Sequence, residues 1–189
     1  MEYGLDSIHE TEISSPDALY EPEAGAVGWL DVEGRDVELV AELGQRFAIH
    51  PLALEDVINV GQRVKSEEFE DSIFVVVDHF FVDGTTQTLA KEQISLVIQA
   101  NALLSVREGR SDLFEPVRAR LRTGRPRIRG GGSGYLAYAL IDAVVEDPAT
   151  ARLGAAEATG SSPHRLMVST VGDELKMAHP GSRVVSVSF

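Results

Sequence analysis

Strand-like apolar patterns recur through the middle of this chain. Residues 27–32 predict a strand with Trp29 as a core aromatic, and residues 73–82 are rich in the β-branched and aromatic residues that strands favour. Asp83-Gly84 and the short segment 100–102 are typical of hairpin turns, which predicts antiparallel pairing around them. Further strands are predicted over residues 65–69, 92–99 and 103–107.

Helical spacing marks the segments before and after these strands. Pro51 suits the first turn of a helix over residues 51–59, because the N–H that proline lacks has no partner there. Behind the predicted N-cap Asp36, apolar residues recur on one helical face: Val37, Val40, Leu43 and Phe47. We expect these two helices to cover one face of the sheet. Two more helices are predicted at residues 112–122 and 134–147.

The two ends of the chain differ from this middle part. Residues 1–25 are polar and contain Pro16, Pro22 and Gly25, so we expect a flexible lead-in rather than core. Residues 148–189 begin with proline and are rich in small and turn-forming residues, so we expect a divergent, disordered tail. The predicted domain therefore covers residues 26–147.

Composition narrows the function classes. The chain of 189 residues contains no cysteine, which excludes disulfides and cysteine-ligated metals. Its net charge is −13, and residues 1–60 carry 14 acidic but only 2 basic side chains. This charge disfavours nucleic acid, which proteins bind by neutralising phosphates with Lys and Arg. It favours cations as partners, although an acidic surface also serves solubility.

The sequence predicts neither a membrane-spanning helix nor a signal peptide. No run of about 18 apolar residues occurs, and residues 1–10 lack the apolar core of a signal peptide. We therefore expect the chain alone to be cytoplasmic and unable to transport ions by itself.

Other candidate chemistries find weak support. Six arginines occur from Arg118 to Arg129, but residues 121–133 hold no aromatic residue for stacking bases. Salt bridging to the acidic first third or to a neighbouring subunit is the better interpretation. The glycine-rich segment 130–134 lacks the Lys and Ser/Thr of a phosphate loop and indicates a linker. The histidines show no metal-binding spacing and no nucleophile elbow occurs. We predict no catalytic residues, no organic cofactor site and no enzyme activity.

A longer motif carries a family resemblance. The segment HPLALEDVIN at residues 50–59, followed by Gln62, Arg63 and Lys65, resembles the signature of the cytoplasmic N-terminal domain of CorA magnesium and cobalt channels. GWLDVEG, EQISLVI, FEPVRARLR and YLAYALIDAVVED then follow in the order of that family. Gly61 and Val64 depart from the pattern, because the family usually has His and Pro there.

The resemblance implies an α/β (α+β) fold in which a mixed, largely antiparallel sheet lies between helical layers. It implies a regulatory domain on the cytoplasmic side of the inner membrane, attached to the membrane only through C-terminal stalk and membrane helices that this sequence lacks. The partners implied are divalent cations and copies of the chain or full-length subunits, since the family forms homopentamers. Without the stalk, we expect a monomer or a weak dimer.

The resemblance also implies metal-binding residues. Glu55 and Asp56, and Asp142 and Glu146, match the family's regulatory magnesium sites between subunits, with Mg²⁺ the expected ion, bound weakly, and Co²⁺ the second candidate. Asp142 and Glu146 are four residues apart, so they share a helix face and repel each other. Hard oxygen ligands suit Mg²⁺, which takes one or two carboxylates and keeps several waters. The alternative interpretation is that both pairs are ordinary solvated helix faces.

Two functional interpretations remain open from the sequence. One is the regulatory domain of a CorA-type transporter, truncated and not transport-competent alone. The other is a free-standing soluble module that senses cations or associates with other subunits. The resemblance stops abruptly at Pro148, which favours a broken reading frame over a genuine short paralogue. The DNA beyond the codon for Asp147 would distinguish a broken reading frame from a genuine short paralogue.

Overall fold

The structure is a computed structural model that describes residues 1–146 apart from twelve positions: 14, 16, 17, 19–21, 35, 60, 84, 87, 110 and 111. The predicted tail, residues 148–189, lies outside the described residues, so its disorder stays a prediction. The boundary drawn at residue 147 stays a prediction for the same reason.

A seven-stranded sheet forms the centre of the described chain. In sequence order its strands are β1 Glu2–Tyr3, β2 Ile8–His9, β3 Val27–Glu33, β4 Lys65–Phe69, β5 Ser72–Val82, β6 Leu89–Ile98 and β7 Ala102–Arg107. Their spatial order is β2-β1-β3-β7-β6-β5-β4. The hairpins β4–β5, β5–β6 and β6–β7 are antiparallel as predicted, whereas β3 joins β7 in parallel.

Two helices cover one face of this sheet. Helix α1 (Val37–Arg46) begins at Asp36, whose side chain accepts hydrogen bonds from two N–H groups of the first turn, as an N-cap does. Helix α2 (Pro51–Ile58) has His50 as its N-cap and Pro51 in its first turn. The apolar residues between helices and sheet are Val32, Val40, Leu43, Ile49, Ala53, Val57, Phe74, Val76, Val97, Leu104 and Val106.

Three helices cover the opposite face: α3 Glu115–Arg122, α4 Pro126–Arg129 and α5 Gly132–Glu146. Trp29 and the alternate residues of β5 to β7 pack here against Phe114, Leu136 and Leu140. Because strand side chains alternate in direction, each central strand supplies apolar residues to both helical layers. The structure confirms the predicted mixed, largely antiparallel sheet between helical layers.

The start of the chain corrects one expectation. Residues 1–25 were predicted as a flexible lead-in, but β1 and β2 extend the sheet and Tyr3 is fully buried in the core. The Met1 amino group donates to the Trp29 carbonyl oxygen at 2.8 Å. Strands of two residues are too short to show an alternating pattern, so the polar composition dominated the prediction.

Two further expectations change in detail. The segment 130–134, interpreted as a glycine-rich linker, directly follows α4, which buries Ile128. It contains the first turn of α5, where Ser133 donates to the Gln99 carbonyl oxygen at 2.5 Å. Val37, assigned to the apolar face of α1, is exposed, whereas Val40 and Leu43 of the same face are buried. It lies at the first position of the helix, before the turn that contacts the sheet.

Candidate metal-binding carboxylates

The α2 carboxylates, Glu55 and Asp56, lie on the outer side of a helix whose Ala53 and Val57 are buried. Glu55 is exposed, and Asp56 is half-buried beside strand β4. Asp56 Oδ2 accepts a hydrogen bond from Lys65 Nζ at 2.6 Å, so the carboxylate has a cationic partner within the chain. Asp56 lies in the last turn of α2, and Lys65 is the first residue of β4, nine positions further along the chain.

Lys65 has a second carboxylate within reach. Its Nζ donates to Glu67 Oε1 at 2.9 Å and lies 5.8 Å from the centre of the Phe74 ring. Lys65 and Glu67 are two residues apart on one strand, and they therefore project to the same side of the sheet as α2. The hydrogen bonds to Asp56 and then to Glu67 raise the pKa of Lys65 above its ordinary value, so the ammonium stays charged at neutral pH.

A buried amide fixes the backbone around Asp56. Gln93 on β6 is 3% exposed, and its Nε2 donates to the Asp56 carbonyl oxygen at 3.1 Å. The Gln62 N–H donates to Gln93 Oε1 at 3.0 Å. Because one side chain holds both the end of α2 and the turn after it, the α2 carboxylates have a defined position relative to the sheet.

The α5 carboxylates, Asp142 and Glu146, line a groove of about 330 Å³ between α3 and α5. Asp112 and Arg120 line its other side, and Val117 and Ala139 are among its apolar walls. The charge of Asp142, followed by burial, raises the pKa of Tyr138. Asp142 and Glu146 are four residues apart on one helix, so they are expected to repel each other. Arg120 lines the same groove.

The structure keeps the two carboxylate pairs apart. Helix α2 packs on one face of the sheet and α5 on the other, so the pairs cannot share one ion within a chain. Among the described residues, no three His, Asp or Glu side chains converge in a way that could hold a metal ion. The oxygen donors fit Mg²⁺ in kind, and one or two carboxylates per site fit its preference for keeping water ligands.

Sequence analysis missed a buried charged network, named here the Arg107 network: Asp31, Glu33, Ser105, Arg107 and Arg118. Arg107 is fully buried, and its Nη2 donates to Asp31 Oδ2 at 3.0 Å and also to Glu33. Arg118 on α3 donates to the same Asp31 oxygen. Trp29 Nε1 donates to Ser105 Oγ at 3.0 Å, and Ser105 donates to Asp31 Oδ1 at 2.6 Å.

The alternation of side chains along β3 could have predicted part of this network from the sequence. Asp31 and Glu33 follow Trp29 at intervals of two, so all three face the same side of β3. Burial by itself lowers the pKa of Arg107, but the hydrogen bond and charge of Asp31, with the charges of Glu33 and Glu92, outweigh it and raise that pKa. The raised pKa keeps the Arg107 guanidinium charged, and this guanidinium pairs with Asp31 and Glu33.

The arginine-rich segment pairs with the acidic first third, as its composition predicted. Arg118 binds Asp31, and Arg122 binds Glu10 at 2.7 Å and also Glu115. Arg129 donates to the Leu121 carbonyl oxygen at 2.8 Å. These arginines connect helical segments to the rest of the domain.

Across the described part of residues 1–146, no helix is both long enough and apolar enough to cross a bilayer.

Two solved structures of other protein domains have a fold similar to that of this chain. The structure resembles the soluble domain of CorA from Methanocaldococcus jannaschii, with a TM-score of 0.53 and 17% identity over 80% of this chain and 54% of that chain. It also resembles the ZntB cytoplasmic domain from Vibrio parahaemolyticus, with a TM-score of 0.59 and 13% identity over 95% of this chain and 82% of that chain. Both likenesses concern the fold alone.

Sequence comparison assigns the family. The model of the CorA-like Mg²⁺ transporter proteins matches residues 24–151. The cobalt/magnesium transport protein CorA of Thermotoga maritima is 36% identical over 149 residues, which are 78% of this chain and 42% of that protein. This chain belongs to the CorA-like Mg²⁺ transporter family, a family of transport proteins and not of enzymes, and it spans less than half the length of the T. maritima protein.

Proposed function

We propose that this chain is the cation-sensing regulatory domain of a CorA-type magnesium and cobalt transporter, located on the cytoplasmic side of the membrane. The observation that carries the proposal is the placement of two carboxylate pairs, on α2 and along the α3–α5 groove, in a domain of this family. The sensing role, and not the pore, is assigned to these residues.

The chemistry of sensing follows from the charges. The α2 carboxylates and the α5 carboxylates each gather two negative charges, and a divalent cation neutralises the repulsion within a pair. Each pair supplies only one or two ligands, so a second copy of the chain would complete the coordination. Binding at such a position favours the assembled subunits, and release of the cation weakens their contact.

The test is a melting experiment on the folded chain. A ligand that binds only the native state stabilises it by mass action, so with a millimolar dissociation constant about 10 mM MgCl₂ adds on the order of 1 kcal/mol. For a domain of this size, that corresponds to a rise of about 2–4 °C in Tm. NaCl at equal ionic strength is the reference, because screening also stabilises an acidic protein.

Variants connect the shift to the proposed residues. Asp56→Asn combined with Asp142→Asn should lose the Mg²⁺-specific shift. The control combines Asp78→Asn with Asp71→Asn, which removes the same number of negative charges. These sites are chosen because Asp78 also pairs with a lysine and Asp71 is exposed. If the Asp56/Asp142 double variant keeps the full shift, the cation binds elsewhere and these side chains are ordinary helix faces.

A further inference from the structure

Lys65 occupies the position from which a cation would contact Asp56. Its ammonium lies 2.6 Å from Asp56 Oδ2, and the two side chains are 26% and 17% exposed. An ammonium is a compact point charge on a flexible stem, so it can leave one carboxylate for another without a change in the backbone. The candidate ligand therefore already has a positively charged partner that belongs to the chain itself.

A second carboxylate stands ready to receive this ammonium. Glu67 Oε1 lies 2.9 Å from Lys65 Nζ, and its side chain is 41% exposed. Because Lys65 and Glu67 share one face of β4, the ammonium can remain bonded to Glu67 when it releases Asp56. Meanwhile Gln93 holds the Asp56 backbone in place, so the exchange requires only side-chain motion.

We propose that Lys65 is a tethered competitor for the Asp56 site, which sets the concentration of divalent cation at which this domain responds. The inference rests on the proposed cation-sensing function. A divalent ion at Asp56 must displace the ammonium, and Glu67 receives it. Two like-charged ions at one carboxylate repel strongly at such short range, so occupancy by Lys65 and occupancy by the divalent ion exclude each other.

Removing the competing charge should tighten cation binding. The Lys65→Met variant keeps the length of the aliphatic stem and loses the ammonium. We expect its apparent dissociation constant for Mg²⁺, obtained from Tm as a function of MgCl₂ at constant ionic strength, to fall by about three- to tenfold, as expected for loss of a half-buried competing ion. Lys65→Arg, which keeps the charge, should retain affinity closer to that of the parent.

Lys91→Met is the matched control. Lys91 pairs with Asp78 at 3.1 Å, so the substitution breaks a lysine–carboxylate pair and changes the net charge by the same amount. It should change Mg²⁺ affinity by less than about twofold, because exposed charges are screened over short distances. If Lys65→Met tightens binding no more than Lys91→Met, or weakens it, the competition is overturned.

A cycle with Asp56→Asn separates this inference from the proposed function. If Asp56→Asn leaves the Mg²⁺-specific shift intact, the proposed site at Asp56 is wrong. If Asp56→Asn removes the shift while Lys65→Met behaves like Lys91→Met, the site stands and only the competition fails. Both proposals hold if Lys65→Met tightens binding in the parent and has no effect on an Asp56→Asn background.

A second measurement covers the case in which Lys65→Met does not fold. Glu67→Gln removes the negative charge of the alternative acceptor, so Lys65 binds Asp56 more strongly and Mg²⁺ affinity should fall. Glu68→Gln is its control, because Glu68 carries the same charge on the exposed, opposite side of β4. Equal affinities in these two variants would overturn the inference.

Discussion

Arg107 shows how much a single residue in this fold depends on its partners. Burying a guanidinium completely costs desolvation free energy. Here the hydrogen bonds and charges of Asp31 and Glu33 offset that cost. Its guanidinium carbon also lies 5.4 Å from the centre of the Phe114 ring. Loss of Arg107 therefore affects both the charge balance and the packing at this end of the sheet.

Substituting Arg107 should be strongly destabilising. Arg107→Met leaves Asp31 half-neutralised in a buried position, and we expect a loss of about 3–5 kcal/mol in the free energy of unfolding, measured by urea denaturation. Arg122→Met is the control, since Arg122 and its partners Glu10 and Glu115 are each more than two-fifths exposed. That exposed cluster should contribute less than about 1 kcal/mol. Similar losses in both variants would contradict the distinction.

Glu92 predicts a pH dependence of stability. Burial acts to raise the pKa of Glu92, but hydrogen bonds from His79 and from the Gly109 N–H, with the charges of His79 and Arg107, outweigh it and leave that pKa below its ordinary value. The distance from His79 Nδ1 to Glu92 Oε1 is 3.0 Å. A lowered carboxyl pKa stabilises the fold above the unfolded pKa, about 4.3, and this contribution is lost as the pH falls through the folded pKa.

The Glu92→Gln variant should isolate this contribution. At pH 7 the parent should be more stable than the variant, and the difference should shrink as the pH is lowered toward about 3.5. Urea denaturation across the pH series measures it. A difference that stays constant over the series would show that ionisation of Glu92 does not contribute.

At the scale of elements, the strand β1 contributes a buried residue to the core although it is only two residues long. Tyr3 is fully buried among Trp29 and the residues of α4 and α5, so β1 closes the core beside β3. Burial raises the pKa of Tyr3, which is therefore neutral at any physiological pH. Among the described residues, its buried hydroxyl finds no hydrogen-bond partner.

An unsatisfied buried hydroxyl predicts that Tyr3→Phe is stabilising. Removing the oxygen removes a desolvation cost of about 1–3 kcal/mol while keeping the ring, so the free energy of unfolding should rise by about 1 kcal/mol. Tyr3→Ala should instead lower it by about 3–5 kcal/mol through loss of core packing. Tyr138→Phe is the control at an exposed site, where the change should stay within about 0.5 kcal/mol. A loss of stability in Tyr3→Phe would show that the hydroxyl is hydrogen-bonded.

At the scale of the whole molecule, the sheet and both helical layers form from the described residues up to Glu146. The two apolar clusters draw on β1 at the start of the chain and on α5 at the end of the described part. The acidic first third and the arginine-rich helices meet through Asp31–Arg118 and Glu10–Arg122. Opposite charges that are separated in sequence are thus adjacent in space.

We predict that residues 1–147 fold as an independent unit. A chain ending at residue 147 should show the same urea midpoint and the same m-value as the full chain, because the m-value scales with the surface exposed on unfolding. A larger m-value or a higher midpoint in the full chain would show that residues 148–189 bury surface against the domain.

The sequence by itself determined the family and the longer local elements, but not β1, β2 or α4. Asp36 and Pro51 marked helix starts, and the β-branched run of β5 marked a central strand, because caps and apolar periodicity depend only on neighbouring residues. The motifs at residues 50–59 and 135–147 carried the family resemblance and indicated the four carboxylates as candidates. Their role as metal ligands remains a prediction.

Only the tertiary structure decided how distant segments meet. The parallel pairing of β3 with β7 and the docking of β1 join residues far apart in sequence, and no local pattern encodes such contacts. Asp56 and Lys65 are only nine residues apart, but they belong to different elements, and they meet beside a turn that Gln93 holds through hydrogen bonds. Whether a carboxylate is free or already paired depends on this packing, so the sequence identified the charge but could not show its partner.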